Sequence, residues 1–244
     1  MNALLRDDEF DLQQACRPDV PGYERGPYET LARAMMRSAR VPASLQPQDF
    51  GLWTIKRQMA DGIATRLTMG WPHMTVLCRW TEATIHLPHG HVVMEDSRLE
   101  LARHLPIWMA ARGRVLVSGL GLGCVVRGLL PNPTVEHIDV LELDPDIARI
   151  VGAEFASEPR VTIHVADAMT WPIGEQRWDF AWHDVCTEDD VGLQPLHMKI
   201  MRRFWNHVGR QGAWAFPREA ANAANIRFIG APRTSRNKRR RRRA

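Results

Sequence analysis

The sequence has few cysteines, and they show none of the spacings found in metal sites or redox motifs. Its 244 residues include four cysteines, at positions 16, 78, 124 and 186, and no Cys-x-x-Cys pair. Widely spaced thiols are typical of a reducing compartment, so we expect a cytoplasmic protein with free cysteines. The same spacing argues against a structural zinc site.

Long apolar runs are also absent. No segment reaches the roughly 20 apolar residues that span a bilayer. The first residues, MNALLRDDEFDLQQ, carry acids where a secretory signal has an apolar core. We therefore expect no membrane association and no export signal.

Acidic residues are missing from one part of the chain, its end. Nine of the 32 Lys and Arg residues lie from Arg227 onward, where no Asp or Glu occurs. The rest of the chain is acidic on balance, so the net charge of +4 does not describe it. We predict a disordered basic tail over residues 231–244. Contact of this tail with nucleic acid is the alternative that its charge allows.

The most informative stretch is RVLVSGLGLG, over residues 114–123. Its short apolar run ends at Ser118-Gly119, as a buried parallel strand does. Glycines at 119, 121 and 123 accept positive φ and let a ligand approach the backbone. The apolar residues that follow allow one or two helical turns, whose first N–H groups are free. A strand, a glycine turn and a helix in succession form a unit that binds the polar part of a nucleotide. A glycine triplet alone would indicate only a tight turn.

Acidic residues follow the later apolar segments. Segments over residues 135–143, 161–165 and 178–182 are predicted strands, and Glu142, Asp167 and Asp184 lie at or beyond their ends. Ligands of open α/β sheets bind at the carboxyl ends of the strands. We therefore predict that these acids and the glycine turn meet at one site. Asp144 precedes Pro145, which indicates a helix cap rather than a ligand.

Together these motifs resemble a known family. Residues 113–184 are similar to class I S-adenosylmethionine-dependent methyltransferases, and residues 83–184 are most similar to the spermidine-synthase-like branch of that superfamily. The resemblance rests on the order and spacing of five segments: HVVMEDSRLELARHLP, GRVLVSGLGLG, VLELDP, VADAM and RWDFAWHD.

The resemblance implies that S-adenosylmethionine is the cofactor. It assigns the methionine part of the cofactor to the backbone of the glycine turn: Gly119, Leu120, Gly121 and Gly123. Glu142 would accept hydrogen bonds from the ribose hydroxyls, and Asp167 from the adenine amino group. The N–H of Ala168 would face the adenine ring. Asp184 would be the functional acid that positions or deprotonates the acceptor, although it can also begin the next helix as a cap.

The predicted fold is α/β: a Rossmann-like, mostly parallel sheet flanked by helices, preceded by an antiparallel β meander. Residue 216 is followed by only 28 residues, so we expect the C-terminal strands of such a sheet to be reduced. A helix over residues 193–208 and a fifth strand over residues 212–216 would close the sheet. We divide the chain into a helical leader (1–50), the meander (51–96), the cofactor-binding domain (97–230) and the tail (231–244).

Departures from the family pattern keep the reaction open. Aminopropyl-transferring members have acids where this chain has Leu122 and Met94, and a tyrosine where it has Arg98. Methyl transfer to an unknown acceptor is our interpretation; aminopropyl transfer and a non-catalytic binding module are the alternatives. A dehydrogenase is disfavoured because Cys124 stands where its third glycine would be. His86, His89 and His91 are interpreted as turn residues rather than metal ligands.

Overall fold

The computed structural model describes residues 26–59, 73–80, 91–185 and 193–214, which form two sheets with helices packed against them. The helices are α1 (Pro27–Ser38), α2 (Arg98–Ala110), α3 (Cys124–Leu129), α4 (Pro145–Ile150), a 3-10 turn (Gly152–Phe155) and α5 (Leu193–Phe204). The strands are β1 (Gln48–Phe50), β2 (Trp53–Met59), β3 (His73–Arg79), β4 (His91–Glu95), β5 (Gly113–Ser118), β6 (Val135–Glu142), β7 (Val161–Val165), β8 (Trp178–His183) and β9 (Val208–Ala213). No helix in these ranges is both long and apolar enough to cross a bilayer.

The first sheet is antiparallel, with strand order β1-β2-β3-β4. This confirms the predicted N-terminal meander. Strand β1 was not predicted, and it lies within the residues assigned to the leader. The sequence also favours strands over residues 63–69 and 83–87, which lie outside the described residues.

The second sheet is parallel, with strand order β7-β6-β5-β8-β9. Numbered along the chain, this is the order 3-2-1-4-5 of doubly wound nucleotide-binding sheets. The Rossmann-like prediction is therefore confirmed. The chain leaves β5 on one side for β6 and returns on the other for β8, so a crevice forms between the carboxyl ends of β5 and its neighbours. The C-terminal reduction and the basic tail concern residues 215–244, which lie outside the described residues.

Both faces of the parallel sheet are covered. Along β5, Val115 and Val117 pack into one core with helices α1, α2 and α3, while Leu116 belongs to a second core with α5. This alternation follows from the two-residue period of a strand. It explains why β5 is apolar throughout, since each of its faces meets a layer of helices.

The sequence favours helix N-caps at Asp144 and at Ser97, where Glu100 three residues on completes a capping-box pattern, and both caps are present. Ser97 Oγ accepts a hydrogen bond from the Glu100 N–H at 3.3 Å. Asp144 Oδ1 accepts from the N–H groups of Asp146 and Ile147 at 2.8 and 3.2 Å. The helix predicted over residues 145–155 is divided, because α4 ends at Ile150 and the chain continues as the 3-10 turn.

The predicted boundary between the last helix and the last strand was wrong. Helix α5 ends at Phe204, and β9 begins at Val208 rather than at residue 212. The sequence VGRQGA hides this strand because it has little apolar alternation. Tertiary contacts explain it: a side chain on Gly209 would meet the Asp179 carbonyl at 2.8 Å, and the buried Gln211 donates to the Met201 carbonyl at 2.7 Å.

Asp139 anchors a polar cluster on the β6 face that packs towards α5. Its Oδ2 accepts from Trp178 Nε1 and from the Arg114 guanidinium, both at 2.8 Å, and its Oδ1 lies 3.4 Å from His164 Nε2. Burial raises the pKa of Asp139, but these three partners more than offset it, so the pKa lies below its usual value. The carboxylate therefore stabilises the fold above its unfolded pKa, and this contribution is lost as the pH falls through the folded value.

We expect Asp139→Asn to lower the free energy of unfolding by about 1–3 kcal/mol near neutral pH, because it removes a charged acceptor from buried donors. The loss should shrink as the pH falls through the folded pKa of Asp139. Urea unfolding of both proteins between pH 3 and 8 measures this. The matched control is Asp146→Asn, whose carboxylate forms an exposed pair with Arg149 and should cost no more than about 1 kcal/mol. Equal losses of stability in the two variants would contradict a stabilising role for the buried Asp139 carboxylate.

Candidate functional site

A cavity of about 1070 Å³ opens between the carboxyl ends of the parallel strands and the antiparallel sheet. Seven of the eight residues that the sequence assigns to the site line it: Gly119, Leu120, Gly121, Glu142, Asp167, Ala168 and Asp184. Gly123, the eighth, instead caps the N-terminus of α3 with φ of 77°. Their assigned functions remain predictions, but the topology brings these seven residues to one place.

The glycine turn has little room for side chains. Gly119, Gly121 and Gly123 all have positive φ, at 92°, 51° and 77°. A Cβ on Gly119 would lie 2.0 Å from the Asp184 carbonyl, and the Gly119 N–H donates to the Leu141 carbonyl at 2.8 Å. The turn is therefore fitted closely between the ends of β6 and β8.

Glu142 is directed at the glycine turn. Its Oε2 accepts from the Leu120 N–H at 2.7 Å and its Oε1 from the Asp144 N–H at 2.8 Å. Burial raises the pKa of Glu142, and the backbone donors of Asp144 and Leu120 reduce the rise without cancelling it. A carboxylate offers about four lone-pair positions. Glu142 can therefore hold the turn and still accept hydrogen bonds from a ligand.

Asp167 lies beyond the end of β7. Its Oδ1 accepts from the Met169 N–H at 2.7 Å, and its carbonyl accepts from the Trp171 N–H at 2.8 Å. These bonds hold a turn at the cavity wall, with the neighbouring Ala168 buried. Asp167 therefore stabilises a local turn. Because it also lines the cavity, its carboxylate can contact a ligand there.

His183 and Asp184 are neighbours in sequence and face different surroundings. The His183 ring is buried, with Nδ1 2.9 Å from Ser118 Oγ and Nε2 3.2 Å from Gln211 Oε1. Burial lowers the pKa of His183 to about 4, so the ring is neutral. Asp184 lines the cavity instead, and its Oδ2 lies 3.4 Å from Nε2 of His104. The other acids of this segment, at positions 188–190, lie outside the described residues.

Sequence reasoning missed two residues that line the cavity, Trp53 and Met94, and one that contacts the lining residue Asp184, His104. His104 approaches Asp184 from α2, and no motif marked it. Trp53 Nε1 donates to Asp144 Oδ2 at 2.8 Å, which joins the antiparallel sheet to the start of α4. Met94 was noted only as a departure, yet the Leu122 N–H donates to its sulfur at 3.1 Å. A chain separation of 28 to 91 residues hides each contact from local patterns.

Of the three histidines that were interpreted as turn residues, His91 lies in the described ranges and lines the cavity. His86 and His89 lie outside those ranges, so that interpretation stays a prediction. Within the described ranges, no three His, Cys, Asp or Glu side chains are placed to hold a metal ion.

Sequence comparison finds two kinds of relative, and no family model matches the chain. Over 154 residues it is 29% identical to polyamine aminopropyltransferase 2 of Ralstonia nicotianae, covering 57% of this chain and 30% of that protein. Over 88 residues it is 39% identical to ribosomal RNA small subunit methyltransferase A of Pseudomonas syringae pv. tomato, covering 36% and 26%. The predicted resemblance to class I S-adenosylmethionine-dependent methyltransferases is confirmed. The chain spans less than a third of the length of these relatives.

Solved structures of methyltransferases are also similar. TrmN from Thermus thermophilus matches with 19% identity and a TM-score of 0.38, over 46% of this chain and 36% of that one. At this TM-score the likeness adds nothing to what the strand order shows. The relatives' names include both methyl and aminopropyl transfer, so the comparisons leave the transferred group open.

We expect the free energy of unfolding lost on substitution of a glycine by alanine to depend on the atoms that surround the new Cβ. Gly174→Ala should cost about 1–2 kcal/mol, because its φ is positive but nothing lies within 4 Å of the new Cβ. Gly121→Ala should cost more, since the Cβ would meet the flexible Met94 side chain at 2.5 Å. Gly119→Ala should cost most, because the obstacle is backbone. Urea unfolding of the three variants gives the order, and equal losses would contradict the tight fit of the turn.

Proposed function

We propose that this protein is an S-adenosylmethionine-dependent methyltransferase whose cofactor binds in the cavity at the carboxyl edge of the parallel sheet. The observation that carries the proposal is the convergence of the glycine turn, Glu142 and Asp167 on one cavity. They come from three neighbouring strands, β5, β6 and β7, so the fold rather than chance proximity in sequence brings them together.

The residues present fit this cofactor. Gly119, Leu120 and Gly121 line the cavity, and the two glycines have no side chain to keep a ligand from the backbone. Glu142 keeps acceptor positions beyond its two backbone bonds, and a ribose diol supplies two donors. Asp167, one strand further, would accept from the adenine amino group. Gly119, Leu120 and Gly121 would contact the methionine part, while Gly123 would act by shaping the turn.

When bound, S-adenosylmethionine supplies an electrophilic methyl group. The chain's own contribution is then to hold an acceptor in line with that group, since methyl transfer needs little acid–base help once the reactants are aligned. Asp184 would serve this task; in support, it lines the cavity, and its backbone carbonyl lies beside Gly119. It would accept a hydrogen bond from the acceptor and take up its proton.

Aminopropyl transfer is the second candidate, and the Ralstonia relative favours it. Met94 argues against it. The Met94 thioether lies over Gly121, at a position where aminopropyl-transferring members carry an acid, and a thioether does not pair with an amine cation. A non-catalytic module remains the third candidate. The acceptor is a small molecule or a nucleic acid, the latter in line with the ribosomal RNA methyltransferase relative.

We expect the protein to bind S-adenosylmethionine and S-adenosylhomocysteine in isothermal titration calorimetry. Glu142→Gln should weaken both by about 1–3 kcal/mol, roughly 5- to 150-fold, because the amide replaces a carboxylate that accepts from buried donors. The matched control is Glu136→Gln, the same change on an exposed residue of the same strand, which should leave both affinities within about twofold.

Three outcomes would overturn parts of the proposal. Absence of binding by the unmodified protein would favour the non-catalytic module. Tighter binding of decarboxylated S-adenosylmethionine than of S-adenosylmethionine itself, together with turnover of putrescine, would favour aminopropyl transfer. Equal weakening by the two glutamine variants would remove Glu142 from the site.

A further inference from the structure

His104 is a buried histidine directed at the candidate site. Its side chain is 1% exposed, and its ring stacks on Trp108 with centroids 5.8 Å apart and planes at 20°. Trp182 meets the ring edge-on at 6.1 Å. Packing between two indoles allows the ring little freedom to rotate, so its two nitrogens keep the directions that the structure shows.

The partners of the two nitrogens determine where protons lie. Nδ1 is 3.0 Å from the Glu100 carbonyl, which can only accept, so Nδ1 carries a proton. Nε2 faces Asp184 Oδ2 at 3.4 Å. A hydrogen bond there needs a second proton, held either by the ring or by the carboxyl group. An imidazolium facing a carboxylate is one solution, and a neutral ring facing a carboxylic acid is the other.

The surroundings favour the imidazolium. An indole face attracts a cation, and the Glu100 carboxylate on the same helix adds negative charge. Burial lowers the pKa of His104, but the hydrogen bond and charge of Asp184 and the charge of Glu100 outweigh it and raise the pKa above its usual value. His197 on α5 and Cys124 on α3 also interact with the charge of Asp184; burial lowers the pKa of His197 and raises that of Cys124 to about 12, so neither is expected to carry a charge at neutral pH.

We propose that His104 is a positioning residue of the candidate site, which, as an imidazolium, holds Asp184 as a carboxylate through Oδ2 and leaves Oδ1 to meet the acceptor. This inference rests on the proposed function, since an acceptor must bind beside Asp184 for the position of that carboxylate to matter.

The pair also indicates the class of acceptor. An imidazolium and a carboxylate together are neutral, so they offer little attraction to a dication such as a polyamine. During transfer the bond from carbon to the acceptor atom forms, the carbon–sulfur bond breaks, and its electron pair stays on sulfur. Positive charge then develops on the acceptor, where a fixed carboxylate stabilises it, and the acceptor's proton passes to Asp184. An uncharged nitrogen or hydroxyl with one proton to lose fits this site.

Nuclear magnetic resonance of protein labelled with ¹⁵N-histidine tests the proposal without an acceptor. The signals of His104 are identified by their absence in His104→Gln. In the unmodified protein we expect His104 to titrate above the usual pKa of a histidine despite its burial, with both ring nitrogens protonated below that pH. In Asp184→Asn the titration of His104 should shift to lower pH, because burial remains and the negative partner is gone. Asp146→Asn, which changes an exposed carboxylate outside the cavity, is the matched control and should leave the titration in place.

The ionisation of His104 is read from the spectrum of the unmodified protein, and the variants assign its signals and test the coupling. A His104 ring that titrates below the usual pKa of a histidine would refute the imidazolium. An unchanged titration in Asp184→Asn would refute the coupling. Calorimetry with S-adenosylmethionine on the same wild-type sample separates the two proposals: failure to bind would remove the proposed function and leave the ionisation of His104 as measured.

Discussion

The carboxylate of Glu142 is the contact on which the arrangement of the cavity depends. It accepts from the Leu120 N–H in the glycine turn and from the Asp144 N–H at the start of α4. One side chain therefore fixes the end of β5 to the end of β6. Because buried backbone donors need partners, removing this carboxylate would affect the shape of the turn as well as any contact with a ligand.

The antiparallel sheet forms the second wall of the cavity, opposite the carboxyl ends of the parallel strands. The Trp53 indole is hydrogen-bonded to Asp144, and the sulfur of Met94 receives the Leu122 N–H. Both contacts join the meander to segments next to the glycine turn. The cavity is thus a space between two sheets. The acids that line it lie on the parallel-sheet side, among apolar side chains, whereas the other side is chiefly aromatic and aliphatic with Arg79 and His91.

Local patterns predicted the parts of the fold whose causes are local. The apolar run and glycines of β5, the caps at Ser97 and Asp144, and the parallel order of the strands all follow from short-range rules, and all are present. The errors have non-local causes. Strand β9 is poor in apolar alternation, and it forms because Gly209 and Gln211 fit against β8 and α5. The short strand β1 was missed because its partner, β2, supplies the hydrogen bonds that define it.

The sequence by itself determined that a glycine turn and three acids would stand at the ends of parallel strands, because the period of each element and the rule for strand ends are encoded locally. Only the tertiary structure decided which neighbours those groups acquire. His183 faces a buried serine and glutamine while Asp184 faces the cavity, and His104 reaches Asp184 across 80 residues of chain. Contacts of that kind depend on how helices and sheets pack, and packing is a property of the whole chain.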